Sequence, residues 1–287
     1  MRFRPLTTTG AAEPAPDSDR RSGRLHSRSA IGLLLAAGVA LVVAFEPAPR
    51  ALPMPTSGSY SEAKLQDALG RALVEYWQSG SRALPASLRA LVDYWFEWHA
   101  VKVVISALLV IVLALLSTGL WQLYLRGRPW YAALATAATV STVVVVWVLS
   151  VNVQVMALPL IPLLPLLPGR TADGKLAQVL SEMREGLTNS AGPHAGSPAL
   201  TVLLGEVERY YWVTAAISAT LVVAAGLASA YCWKRRIAGD PGASRVRFMH
   251  STLGVVTALA AGLLLLETVG SATAAFDPAA SLLGVLG

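Results

Sequence analysis

The chain has 287 residues, of which 54% are hydrophobic and only 14% charged, and its mean hydropathy is +0.54. Soluble domains carry about 25% charged residues, so this composition excludes an ordinary soluble protein and indicates lipid as a main solvent. The net charge of +6 is spread over several loops and is not gathered on one soluble face, so we expect no nucleic-acid partner.

Five apolar stretches have nearly the length needed to cross a bilayer, which takes about 20 residues of helix. The predicted transmembrane helices cover residues 29–45, 101–125, 131–151, 212–233 and 249–270. The predicted fold class is therefore an all-α integral membrane protein with about five transmembrane helices and two external amphipathic helical hairpin loops.

Basic residues are dense in alternate loops, and this predicts the orientation. Residues 1–28, 126–130 and 234–248 carry thirteen of the 23 basic residues and only four of the 17 acidic ones. Cytoplasmic loops are enriched in Lys and Arg, so the N-terminus is expected in the cytoplasm and the C-terminus outside. The external segments are then residues 46–100, 152–211 and 271–287.

The first predicted helix is the shortest of the five. Arg20 and Arg21 precede it and give it the basic start of a signal peptide. Its apolar run is longer than a usual signal core and no A-x-A cleavage site follows, so a retained signal anchor is favoured over a cleaved leader. Residues 1–28 are expected to be disordered. A high content of Ala, Arg and Leu favours a bacterial plasma membrane.

The first external segment is predicted to form two amphipathic helices. Leu65, Leu69 and Tyr76 recur at helical spacing with charged residues between them, so a helix is expected over about residues 61–78. A second helix begins near Pro85, a favoured first-turn residue, and runs towards the second span.

A short segment occurs twice in this loop, because residues 71–77 read RALVEYW and residues 89–95 read RALVDYW. Two interpretations are open. Either two equivalent helices each place Tyr and Trp at the lipid headgroup level, where such rings are favoured, or the two pairs form an aromatic clamp for a lipid or polymer. The residues expected to contact lipid or a partner are Tyr76, Trp77, Tyr94, Trp95 and Trp98.

The second external segment follows the same plan. Leu176, Leu180 and Leu187 form one helical stripe, and Leu200 and Leu204 begin another that leads into the fourth span. The order of two amphipathic helices, a span, a basic turn and a span therefore occurs twice. An internal duplication, as in some transporters, and independent adaptation to the membrane both explain this order.

An apolar proline run follows the third span. Residues 158–168 read LPLIPLLPLLP, with Pro159, Pro162, Pro165 and Pro168 at a period of three. This period matches polyproline II, which has three residues per turn. The run is expected either to form a structural cap over the helices or to act as a docking or gating segment, with its prolines in contact with lipid or a partner.

Few ionisable residues fall inside the predicted spans. Asn152 and Gln154 end the third span, and Glu267 lies late in the fifth. Polar groups at such depth mark a solute path or act as packing contacts between helices. If these three residues meet, they form a polar path near the outer membrane face.

Sequence motifs for catalysis or metal binding are not found. The four histidines are scattered and lack metal-ligand spacing, and there is no nucleophile elbow, P-loop or dinucleotide fingerprint. We therefore expect a protein that is not an enzyme and that carries no metal or cofactor.

These observations lead to two hypotheses about function. The first is a non-enzymatic accessory, scaffold or partner-binding subunit of a cell-envelope complex, with membrane lipid and another membrane or envelope protein as its partners. The second is a small-solute or ion permease or channel that uses the polar spot near the outer face. The elaborate external loops favour the first hypothesis.

Overall fold

The computed structural model describes residues 18–51, 61–167, 174–189, 196–240 and 242–286, with side chains from residue 29 onward. The described residues are helical and contain no β-strand. Their α-helices are α1 Ser18–Ala44, α2 Ala48–Ala51, α3 Glu62–Ser79, α4 Ala86–Leu125, α5 Tyr131–Ala157, α6 Leu160–Leu163, α7 Gly174–Thr188, α8 Pro198–Ala238, α9 Ser244–Phe276 and α10 Pro278–Leu286, and a 3-10 turn, Leu164–Leu166, follows α6.

Four of these helices, α4, α5, α8 and α9, are long and apolar enough to cross a membrane. The all-α class is thus confirmed, and the protein is a multi-pass membrane protein by the length and composition of these helices. The apolar part of α1, Ser29–Ala44, is shorter than they are, so the count of five spans stays a prediction.

The helices α4 and α8 extend well beyond the predicted spans. They contain 40 and 41 residues, about twice what a bilayer needs. The amphipathic helix expected from Pro85 is therefore the first part of α4, and it joins the span without a break. No Gly or Pro interrupts residues 86–118, so nothing in this stretch forces the helix to end.

Both halves of the chain contribute to one helical unit, which we call the helical cap. It contains α3, α6 with its 3-10 turn, α7, α10 and the first turns of α4 and α8. Its core of buried apolar side chains is Leu65, Leu69, Ala72, Leu73, Tyr76, Trp77, Leu88, Leu91, Tyr94, Leu160, Ile161, Leu163, Leu164, Leu176, Val179, Leu180, Met183, Ala199, Leu200, Leu203, Val207, Leu282 and Leu286.

The helix α3 shows why the cap forms. Its apolar stripe faces the core, as the spacing predicts, and the expected bounds of residues 61–78 are close to Glu62–Ser79. The side chain of Ser61 accepts a hydrogen bond from the backbone N–H of Lys64 at the start of the helix. Gly80 ends it with a φ of 58°, a left-handed conformation that suits glycine.

The spans form two closely packed antiparallel pairs, α4 with α5 and α8 with α9. In the first pair the Oγ of Ser117 lies 2.7 Å from the Oγ1 of Thr139, which also accepts a hydrogen bond of 3.0 Å from Trp121. In the second pair the Oγ of Ser229 donates to the carbonyl of Gly254 at 2.9 Å. Side-chain hydrogen bonds therefore join the helices within each pair.

The helix α1 lies antiparallel to α4. Ile31 is close to Gly119, Gly38 is close to Val112, and an ion pair joins Glu46 to Lys102 near the cap. Because α1 starts at Ser18, residues 18–28 are helical, and the expectation of disorder is wrong for them. Arg and Leu favour helix, which explains this extension. Residues 1–17 lie outside the described part of the chain.

The C-terminal segment is not a loose tail. The helix α9 continues past the predicted end of the fifth span to Phe276, and α10 follows directly. Leu282 and Leu286 on α10 are buried in the core of the cap. The segment after the last span therefore helps to close the cap.

Candidate functional site

A pocket of about 650 Å³ lies where the cap meets the spans, and we call it the interface pocket. The turn after α1, α2, the start of α3, the first half of α4 and the 3-10 turn form its walls. Its lining consists of Glu46, Arg50, Ser61, Glu62, Lys64, Leu65, Tyr94, Trp95, Trp98, Lys102 and Leu166. Three aromatic rings and five charged side chains thus surround one space.

The helix α4 sets the aromatic side of this pocket. Tyr94, Trp98 and Lys102 are four residues apart and share one face of the helix. The rings of Tyr94 and Trp98 have centroids 6.0 Å apart. The Nζ of Lys102 and the guanidinium carbon of Arg50 each lie 5.6 Å from the centroid of Trp98, a cation–π arrangement.

One acid holds two of the three cations in the pocket. The carboxylate of Glu46 lies 3.3 Å from Arg50 and 3.2 Å from Lys102. Among the described residues Lys64 forms no ion pair, and Glu62 is the second acid at the wall. Three cations and two acids give the pocket a net positive charge.

The indole of Trp95 carries an unused donor. Its Nε1 is buried and has no hydrogen-bond partner among the described residues. The ring of Trp95 packs against His99 at a centroid distance of 4.7 Å, and the Nδ1 of His99 lies 2.9 Å from the carbonyl of Trp95. An unpaired buried donor is costly, so an acceptor that reached it from the pocket would be favoured.

The repeated segment does not form the expected symmetric pair. Tyr76 and Trp77 are buried in the cap core, and Trp77 donates a hydrogen bond of 2.7 Å to Glu182 on α7. The buried hydroxyl of Tyr76 has no partner among the described residues, and burial, then Glu206, raises its pKa. The interpretation of two equivalent headgroup helices, and of a clamp built from both pairs, is wrong, because α3 ends within the cap while α4 continues into a span.

The proline run is helical, so the expectation of polyproline II is wrong. Pro162 lies in α6 and Pro165 in the 3-10 turn, while Pro159 has a ψ of −22°. The fixed φ of proline suits both conformations, but helical turns give the carbonyls partners that polyproline II lacks. Such partners matter in an apolar setting. Pro168 lies outside the described residues.

The leucines of this run point into the cap, in agreement with the structural-cap interpretation. Leu160, Leu163 and Leu164 are buried in its core, whereas Pro165 is exposed. Among the described prolines of this run, Pro159 and Pro162 are half-buried and Pro165 is exposed, and none of the three belongs to the buried core of the cap.

The three residues of the predicted polar path do not meet. Asn152 donates to the carbonyl of Val148 at 2.7 Å, and Gln154 donates to Ser150 at 3.2 Å, so both are buried and bonded within α5. Glu267 lies elsewhere, on α9. Asn152 and Gln154 thus act as local contacts of one helix.

Glu267 instead lines a second cavity, of about 770 Å³, between the two helix pairs. Its wall is mostly Val, Leu and Ala from α5, α8 and α9. The indole of Trp147 on α5 donates a hydrogen bond of 3.3 Å to Glu267 across this cavity. We call this space the inter-pair cavity.

No protein-family model, no curated protein and no solved structure matches the chain. The function is therefore inferred from the geometry of the interface pocket and the inter-pair cavity. Sequence reasoning found Tyr94, Trp95 and Trp98 but missed Glu46, Arg50, Lys64 and Lys102. Lys102 could have been found, because it lies one turn after Trp98 on the same helix. Arg50 and Lys64 could not be found in this way, because they come from other elements.

Proposed function

We propose that the protein is a non-enzymatic, five-span accessory or scaffold subunit of a cell-envelope complex, and that its helical cap binds another envelope protein outside the plasma membrane. The observation that supports this most is the cap itself. Elements from both halves of the chain build one core, far more structure than is needed to connect spans.

The outer face of α3 provides the docking surface in this proposal. Asp67 and Arg71 are exposed, four residues apart on the side that faces away from the core. A water-exposed charged face on a rigid, packed helix holds its side chains in fixed positions, and such order lowers the entropy lost on binding.

The positions of the basic turns support the proposed orientation. Arg128 precedes α5 and Lys234 lies near the end of α8, both at the ends of the helix pairs opposite the cap. A Cβ added to Gly127, in the turn before α5, would lie 3.1 Å from the Nη1 of Arg245 at the start of α9. The two basic turns are therefore close to each other. A shared basic end is expected in the cytoplasm, which puts the cap outside.

Because α1 runs along α4, we propose that it is a retained signal anchor.

Cysteine labelling on intact cells tests this topology. In a Cys232→Ala background, which removes the one cysteine, we expect cysteines at Ser81 and Gly196 to react with an impermeant maleimide and one at Ser244 not to react. All three positions lie in exposed or half-exposed turns or helix starts. Labelling of Ser244→Cys alone would reverse the orientation, and a mature N-terminus near residue 46 would show that α1 is cleaved.

Affinity purification in mild detergent tests the scaffold role. We expect a second envelope protein to co-purify with the wild type and to be lost from the charge-swapped variant Asp67→Lys/Arg71→Glu, while the fold is unchanged. The matched control Lys234→Glu/Asp240→Lys swaps charges at the basic end and should retain the partner. Equal recovery of the partner with both variants would contradict docking through α3.

The alternative function is a small-solute or ion permease, and the inter-pair cavity favours it. Glu267 is an acid that faces an apolar space between helix pairs, and intramembrane acids often mark transport paths. Under this alternative, proteoliposomes containing the wild type would transport a solute or ion, and Glu267→Gln would abolish the flux. A protein that supports no flux but still binds its partner is expected if the scaffold proposal is correct.

A further inference from the structure

We infer that the interface pocket binds the phosphate group of an anionic phospholipid from the surrounding leaflet. This inference goes beyond the proposed scaffold role and does not depend on any protein partner. It rests on the pocket's position, on its charges and on Trp95, a lining residue whose indole Nε1 has no partner among the described residues.

The pocket lies at the level where headgroups are expected. Lys102 is the second residue of the predicted span 101–125, and Trp98 and Trp95 lie one and two turns before it, respectively. Trp rings concentrate at membrane–water interfaces. Phe45, which directly follows α1, lies at the same level, with the Nζ of Lys102 4.9 Å from the centroid of its ring.

The charges of the pocket suit a phosphate. Arg50 and Lys102 share the single carboxylate of Glu46, so their combined positive charge exceeds that of the acid that pairs them. Guanidinium and ammonium groups are the usual partners of phosphate oxygens. Lys64 adds a third cation from α3, and Trp95, whose buried Nε1 has no partner among the described residues, lines the same space as a neutral donor residue.

The remaining surfaces favour a lipid over free phosphate. Leu65, Leu166 and the ring of Trp98 line the same space and would contact the glycerol and the first methylenes of the acyl chains. The volume of about 650 Å³ lies within the roughly 300–1,000 Å³ of typical small-molecule sites. A free phosphate ion would leave the apolar part of this volume unused.

Native mass spectrometry of the full chain tests the inference. The protein is released from nanodiscs of phosphatidylcholine with phosphatidylglycerol, and the phosphatidylglycerol that stays bound is measured. We expect Arg50→Gln/Lys102→Gln to weaken phosphatidylglycerol binding about tenfold or more, since a hydrogen bond to a charged group contributes on the order of one decade in Kd. The matched control Arg82→Gln/Arg89→Gln removes two exposed cations outside the pocket and should bind as the wild type.

A second variant keeps the test decisive if the double substitution perturbs the link between α1 and α4. Trp95→Phe keeps an aromatic ring against His99 but removes the Nε1 donor together with the five-membered ring, so we expect a few-fold loss of lipid with only a small change in thermal unfolding. Equal lipid loss from the control and pocket variants would overturn the inference. It would also be overturned if inorganic phosphate displaced the lipid at low millimolar concentration, or if the pocket variants lost a protein partner but kept the lipid.

Discussion

Replacing Leu163 with Ala is expected to lower the free energy of unfolding by about 2–5 kcal/mol, the usual cost of a buried Leu-to-Ala change. Leu163 is 0% exposed and lies in the cap core at the end of α6. Removing its side chain leaves a cavity between elements from both halves of the chain. Denaturant unfolding in detergent micelles, followed by Trp fluorescence, measures the change.

The matched control is Pro165→Ala. Pro165 is exposed on the 3-10 turn, and alanine adopts helical φ and ψ without strain, so we expect a loss of at most about 1 kcal/mol, mainly from greater freedom of the unfolded chain. A control variant as unstable as Leu163→Ala would contradict the packed-leucine account and would return the stabilising role to the prolines.

Local patterns in the sequence predicted the elements that depend on local physics. The helix α3 was predictable because its apolar spacing, Ser61 and Gly80 all indicate the same bounds. The long spans were predictable because their apolar runs exceed 18 residues. The polyproline expectation failed for a different reason, because the φ of proline is the same in both conformations and only the surroundings of the carbonyls decide ψ.

The candidate site was harder to predict because its residues meet only through tertiary packing. Glu46 and Lys102 lie 56 positions apart, and the spacing of residues in the sequence cannot show that α1 runs along α4. The same limit explains the error at Tyr76 and Trp77. Their sequence context matches that of Tyr94 and Trp95, but α7 covers them and nothing in the repeated segment shows this.

The two halves of the protein have the same order of helices. The series α3, α4, α5 and α6 corresponds to α7, α8, α9 and α10, with an amphipathic helix, two long helices and a short one in each. Internal duplication and independent adaptation to the membrane both stay open as origins. In either case, contacts across the cap join the halves, and the close approach of α3 to α7 at Gly70 can be tested.

Replacing Gly70 with Val is expected to destabilise the cap by about 1–3 kcal/mol, the usual cost of overpacking a core. A Cβ added at Gly70 would lie 3.0 Å from the Cδ2 of Leu176, a core residue of α7, and valine adds two further methyl groups. The control Gly205→Val places the same side chain on an exposed face of α8, where no atom lies within 4 Å of the new Cβ. Both variants carry the same change in helix propensity, so the difference between their unfolding free energies measures the contact between the halves. Equal stabilities would show that α3 and α7 do not pack in this way, because valine at position 70 would then meet no neighbour.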